Sequence, residues 1–292
     1  MFETLKNVFR VKEMRRKLLY LIWMIFIIRI GCQIPVPGVD SDFFKQWFSS
    51  NAGDAFNFFD AFTGGSFERM SIFALNITPY ITSSIIIQLL TIAIPALEEM
   101  QRDGEEGRKK MTAITRYVTV GLALFESIAM AIGFGRQGMI PNLDFFKGVV
   151  VVACLTAGSA MLMWLGERIT EKGVGNGISI VLTINIISRV PSDLTLLYEN
   201  FIKGKTIAKG TLAGLIIAAV ILLVVVLVLI LNGAERRIPV QYSKKMVGRK
   251  LMGGQSTNIP LKVNTAGVIP VIFASSIMSF PAVIAQLTGK GN

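Results

Sequence analysis

The chain has 292 residues, 52% of them hydrophobic, yet it carries 30 Lys and Arg against 19 Asp and Glu, a formal net charge of +11. Long apolar stretches separated by basic loops mark an integral membrane protein and exclude a basic soluble domain. With no histidine, and with Cys32 and Cys154 both inside apolar runs, a disulfide framework, a His- or Cys-based metal site and a Ser-His dyad are excluded as well, so neither metal nor cofactor is expected.

Residues 1–17 form a basic segment holding Lys6, Arg10, Lys12, Arg15, Arg16 and Lys17. No small-residue cleavage site follows it, so the apolar run at 18–34 reads as a retained first span and not as a signal peptide. A hydrocarbon core about 30 Å thick takes roughly 20 apolar residues per helix. Further spans are predicted at 72–94, 114–133, 148–165, 178–190, 212–231 and 263–287, with the fifth too short to cross unaided. Pro79, Pro270 and Pro281 fall inside these spans, which membranes tolerate where neighbouring helices satisfy the freed carbonyls. Segments 1–17, 98–116, 166–176 and 234–262 hold 20 Lys and Arg, against 8 in the alternate loops. That bias puts the N-terminus in the cytoplasm and, with seven spans, the end of residue 292 outside.

Along the chain, Arg29 and Glu126 are ionisable groups within spans, where a central charge costs at least about 2.5 kcal/mol on insertion scales. Arg29 lies near the external end of its span and can snorkel, whereas Glu126 sits mid-span and must face a water-filled path, pair with a polar partner or be protonated. The run at 56–70, Phe-Asn-Phe-Phe-Asp-Ala-Phe-Thr-Gly-Gly-Ser-Phe-Glu-Arg-Met, precedes the second span. Ala55, Phe58, Phe59 and Phe62 share one face of a short helix that Gly64 and Gly65 would end. Spacing alone favours an amphipathic helix at the membrane surface; the alternative is a re-entrant plug that swings on its glycines. In the second span Ile77 and Ile81 stand one helical turn apart amid Asn76, Thr78, Thr82 and Ser83, and in the fifth Ile178 and Leu182 repeat that spacing. Ile272 follows Pro270 in the seventh. Ordinary helix packing also explains such residues.

The stretch at 166–179, Gly-Glu-Arg-Ile-Thr-Glu-Lys-Gly-Val-Gly-Asn-Gly-Ile-Ser, is too polar for lipid, and Gly173, Gly175 and Gly177 predict an unusual turn that starts the short fifth span. Glu167, Arg168, Glu171 and Lys172 hold that connection at the aqueous surface. Finally, 234–262 reads as a basic β-hairpin: Ile238, Val240 and Tyr242 alternate as in a strand, and Val247-Gly248 offers a turn. Its Arg236, Arg237, Lys244, Lys245, Arg249 and Lys250 suit anionic headgroups, RNA phosphates or an acidic protein.

Six blocks carry a resemblance to a known family: 29–38 (Arg-Ile-Gly-Cys-Gln-Ile-Pro-Val-Pro-Gly), 71–75 (Ser-Ile-Phe-Ala-Leu), 79–90 (Pro-Tyr-Ile-Thr-Ser-Ser-Ile-Ile-Ile-Gln-Leu-Leu), the 166–179 stretch, 236–242 (Arg-Arg-Ile-Pro-Val-Gln-Tyr) and 255–264 (Gln-Ser-Thr-Asn-Ile-Pro-Leu-Lys-Val-Asn). Over essentially its whole length the chain resembles the SecY family, the central channel subunit of the Sec protein translocase. The resemblance implies an all-α polytopic bundle of ten spans in two inverted halves, about seven of them here, with a short re-entrant plug helix and a cytoplasmic β-hairpin. Residues 18–190 would be the first half, with the plug at about 55–70, and 191–292 the start of a second half that lacks its last three spans.

By the same resemblance, Ile77, Ile81, Ile178, Leu182 and Ile272 fall on an apolar pore ring, and Phe58, Phe59, Phe62, Gly64, Gly65 and Phe67 on the plug. Thr82, Ser83, Gln88, Glu126 and Ile277 fall along the lateral gate, and the six basic hairpin residues on the surface that docks the SecA motor and the ribosome. The implied function is a protein-conducting channel in the bacterial plasma membrane, without catalysis, working with SecE-like and SecG-like subunits, signal sequences, nascent polypeptides and lipid. The competing readings are a solute transporter built on Glu126 and Arg29, and an intramembrane protease, which the absence of paired aspartates within spans disfavours.

Overall fold

The computed structural model describes residues 11–41, 43–46, 60–136, 138, 140, 144–203, 207–240, 245–247, 250–252, 257–265, 267, 270, 271 and 274. The chain divides into two compact units, 1–191 with 273–292, and 192–272.

The first unit opens with α1 (Lys12–Gly31), followed by α2 (Thr78–Ala93), α3 (Pro95–Arg102), α4 (Gly104–Arg136), α5 (Phe145–Lys172) and the start of α6 (Gly177–Phe201). The charges at helix ends follow the macrodipole: Glu105 and Glu106 begin α4, Arg136 ends it, and Lys172 ends α5. Asp144 caps α5 by accepting the Phe145 N–H at 2.9 Å. α4 packs against α5 and α2, and α1 lies against α5.

Three predicted spans take a different form. The second does not run straight through 72–94. Residues 67–77 are tight turns in which the N–H groups of Met70, Ala74 and Asn76 donate to the carbonyls three residues earlier, and helix begins only at Thr78. Pro79 therefore stands in the first turn of α2, where its missing N–H costs nothing. At the other end, Ile94 is extended (φ −114°, ψ 111°) because Pro95 follows it, and the axis turns by 104° into α3. The fifth span is not short: α6 runs for 25 residues with Pro191 inside it, one lost hydrogen bond being insufficient to end so apolar a helix. In α1, Lys12, Arg15, Arg16 and Lys17 occupy the first turns, leaving less than a membrane thickness of apolar helix. Among the described residues, α4, α5, α6 and α7 are long and apolar enough to cross a membrane, or five spans if α2 and α3 count as one. Most of the predicted seventh span lies outside the described residues.

Two apolar clusters hold the first unit. One gathers Val36, Phe44, Phe67, Met70, Leu75, Phe134 and Leu155, with Phe44 meeting Phe134 edge-on at 5.0 Å and Phe67 edge-on at 5.8 Å between centroids. The other joins Ile28, Cys32, Phe73, Ile77, Leu162, Leu165, Ile169 and Val181. An antiparallel bridge ties the two through the backbone: Val36 N–H donates to the Met70 carbonyl and Ile72 N–H to that of Ile34.

The second unit contains α7 (Ile207–Gly233) and four short strands, β1 (Glu235–Val240), β2 (Lys245–Val247), β3 (Lys250–Met252) and β4 (Thr257–Lys262). β1 pairs antiparallel with β4, Glu235 opposite Lys262, and β2 with β3, Val247 opposite Lys250, so the chain reverses where Val247-Gly248 predicted. Residues 218–233 of α7 are exposed, and among the described helices α7 has the highest hydropathy, as suits a helix facing lipid.

Because Phe134 is fully buried between two other rings, Phe134→Ala should cost about 3–5 kcal/mol. Thermal unfolding of the purified protein in detergent measures it, and a melting temperature equal to wild type would show that the aromatic cluster carries little of the stability.

Candidate functional site

The turn between α5 and α6 is built as the glycines predict. Gly173 closes α5 by donating its N–H to the Ile169 carbonyl at 2.8 Å, and Gly175 adopts φ +75°, a conformation that side chains rarely reach. Asn176 then caps α6: its Oδ1 accepts the N–H of Ile178 at 3.1 Å and of Ser179 at 3.4 Å. Thr170 Oγ1, itself donating to the Gly166 carbonyl, accepts the Gly177 N–H at 2.9 Å. The charges beside the turn are engaged with one another. Arg116 Nε donates to Glu167 Oε1 at 2.9 Å, linking α4 to α5, and Arg168 pairs with Glu171 while lying 5.6 Å above the Trp164 ring.

This turn brings α6 against α5 at backbone distance. A Cβ on Gly177 would lie 2.0 Å from the Gly166 carbonyl oxygen, closer than any real contact. A Cβ on Gly166 would stand 3.2 Å from Ile178 Cγ1 and 3.6 Å from Ile77 Cδ1. Ile77 and Ile178 therefore meet over a bare patch of α5, and Ile77, Ile81, Ile178 and Leu182 join one cluster together with Ile28 and Val181. Ile77 is fully buried in it, while Ile81, Ile178 and Leu182 are half-buried and leave one side open. Ile272 and the gate residue Ile277 lie outside the described residues.

Of the predicted plug residues, Phe58 and Phe59 also lie outside them. Residues 60–63 form a helical turn, and Gly64 (φ +68°) and Gly65 (φ +81°) end it. Phe62 is half-buried, and Phe67, beyond the two glycines, is locked in the aromatic cluster with Phe44 and Phe134. The predicted gate residues do not share one environment. Thr82 donates to the Thr78 carbonyl in its own helix, and fully buried Ser83 donates to the Thr115 carbonyl at 2.9 Å, fastening α2 to α4. Gln88 is exposed and Glu126 half-buried. Arg236 and Arg237 are exposed on β1, Lys245 and Lys250 stand on β2 and β3, and Lys244 and Arg249 lie outside the described residues.

The structure adds polar residues that hydropathy did not single out. Arg189, on α6, forms an ion pair with Asp60, whose side chain is completely buried. Asn76 takes φ +52°, donates from Nδ2 to the Phe62 carbonyl at 2.8 Å and accepts at Oδ1 from Asn185 Nδ2 at 3.0 Å. The available signal was an acid among the aromatics of 56–70 and a base at the end of the fifth apolar run.

These features define a multi-pass helical membrane protein in which Ile77, Ile81, Ile178 and Leu182 gather where α5 meets the start of α6. Residues 71–291 match the SecY family model. The chain belongs to the SecY family. Protein translocase subunit SecY of Halalkalibacterium halodurans is 44% identical over 298 residues, covering 99% of this chain and 68% of that protein. The fold is also that of a solved protein-conducting channel (TM-score 0.62, 18% identity) and of Sec61 in the canine ribosome-channel complex from the endoplasmic reticulum (TM-score 0.61, 19% identity). Each comparison covers 93% of this chain and 58% of the solved one, so the chain spans a little over half of those channels.

Because no methyl fits between Gly177 and the Gly166 carbonyl, Gly177→Ala should displace the start of α6 and destabilise the protein by about 1–3 kcal/mol. Thermal unfolding checks this, and unchanged stability would mean that the two helices need not touch.

Proposed function

We propose that this chain forms the greater part of a protein-conducting channel through which secretory polypeptides cross, and transmembrane segments leave, the bacterial plasma membrane. The observation that carries this reading is the gathering of Ile77, Ile81, Ile178 and Leu182 around the glycine contact of α5 with α6. Branched aliphatic side chains at a narrow point exclude water and ions by dewetting, yet move aside for an extended chain, because no polar bond has to break. Ile272 completes the ring in this reading, and the segment at 55–70 seals one side of it as the plug.

The channel is passive. Its driving force comes from SecA or a translating ribosome on the cytoplasmic side. Arg236, Arg237, Lys244, Lys245, Arg249 and Lys250 supply positive charge there, suited to ribosomal RNA phosphates by charge and not by base reading. SecE-like and SecG-like subunits pack around the bundle. A signal sequence enters as an apolar helix between the span carrying Thr82, Ser83 and Gln88, the span carrying Glu126, and the span carrying Ile277. The reading assigns no catalytic step. A solute transporter would need a compact polar site where the gathered residues are instead aliphatic.

A photo-reactive residue at Ile81 or Ile178, in the full-length protein with a secretory chain stalled in transit, should give adducts with that chain. An active complex that yields none contradicts the reading. Likewise Arg236→Ala should weaken ribosome binding and lower the salt dependence, log K against log salt, by about 1. Sedimentation at several salt concentrations checks this, and an unchanged slope removes Arg236 from the docking surface.

A further inference from the structure

We infer that Asp60, Arg189, Asn76 and Asn185 form a buried polar latch that holds the 60–66 segment against α6 and sets how easily the channel opens, an inference that rests on the channel reading above.

The contacts converge on one short piece of backbone. Asp60 is fully buried, and its Oδ1 accepts from Thr63 Oγ1 at 3.1 Å and from the Glu68 N–H at 3.0 Å, while Oδ2 faces Arg189. Asn76 holds the Phe62 carbonyl, and Asn185 holds Asn76. Gly64 fits directly on the α6 backbone, since a Cβ there would stand 2.6 Å from the Asn185 carbonyl oxygen. The latch adjoins the constriction on both helices: Asn76 precedes Ile77, and Asn185 follows Leu182 by one turn.

Apolar side chains of similar volume would pack this site at least as stably, because a buried ion pair loses in desolvation much of what it gains by attraction. What the polar set supplies is an asymmetry between two states. When the segment stays in place, all four side chains are buried or nearly so and each has a partner among the others. When it moves away on the positive-φ turn at Gly64-Gly65, the same groups gain water. An aliphatic contact offers no such hydrated alternative, so the latch gives the closed position a defined register and the open one a tolerable end state. Removing the Arg189 charge strands the fully buried Asp60 carboxylate, a penalty that opening relieves, and removing that carboxylate takes away the charge that holds Arg189 to the segment. Each single neutralisation should therefore favour the open state.

The test uses the full-length protein in its assembled complex, reconstituted in planar bilayers without substrate. Asp60→Asn and Arg189→Gln should each raise the resting ion conductance at least about tenfold, and the exchange Asp60→Arg with Arg189→Asp should bring it back toward wild type. Single variants that conduct like wild type while still translocating substrate overturn the latch and leave the channel reading standing. An exchange variant as leaky as the singles also overturns it, because a merely structural role would give that result. If the singles do not assemble, hydrogen exchange on the unmodified complex decides. The Gly64 and Glu68 amides, which donate to Asp60, should be protected at rest and lose protection when a stalled chain occupies the channel. Protection retained in the occupied channel overturns the proposal.

Discussion

The rest of the first unit depends on a contact from which side chains are absent, the meeting of the Gly166 carbonyl with Gly177. Two apolar helices can touch at backbone distance only where neither has a Cβ, and here the touching point lies at the first residue of α6. The approach fixes where α6 starts, and the start fixes the height of Ile178 and Leu182. Asn176 and Thr170 then take up the N–H groups that the abrupt start leaves unpaired. Because Gly166 has no side chain, Ile77 of the preceding turn and Ile178 settle over the same bare spot.

The two clusters divide the work on either side of residues 67–77. The aromatic cluster of Phe44, Phe67 and Phe134 anchors the start of this turn-rich stretch, and Ile77, in the second cluster, anchors its end. Between them the backbone is held by the bridge to 34–36, not by a helix. The residues just before this stretch meet α6 through the ion pair of Asp60 with Arg189 and the close approach of Gly64 to the Asn185 carbonyl, while Asn76 holds the Phe62 carbonyl.

Much of this was legible in the sequence, because it was written in residues whose chemistry is extreme. The glycines and charges of 166–179 predicted an unusual helix start at the aqueous surface, and the alternation around Ile238 predicted the hairpin. The spans α4, α5 and α7 follow directly from hydropathy. What hydropathy could not reveal was where helix stops inside an apolar run. Residues 72–77 are apolar enough to belong to a span, yet they turn, because the Asn76 side chain binds the Phe62 carbonyl while its backbone takes a positive φ. α6 continues through Pro191, where local propensity predicted an end. The Asn76–Asn185 contact joins residues 109 apart in the chain, a pairing with no local signature at all. Nor could hydropathy reveal that Ser83 fastens α2 to α4 through the Thr115 carbonyl, because a small polar residue in a span carries no mark of its partner.

Accessibility along α6 tests the central claim most directly. In the full-length protein, with Cys32 and Cys154 replaced by alanine, single cysteines placed along α6 from Ser179 to Ser188 are exposed to a membrane-impermeant thiol reagent from one side at a time, in the resting complex. If the glycine contact sets an apolar constriction at Ile178 and Leu182, reagent on the side of the 166–179 turn modifies no position beyond Leu182, and reagent on the opposite side modifies none before it. Modification of positions beyond Leu182 from the side of the 166–179 turn, in a sealed resting complex, would contradict the account.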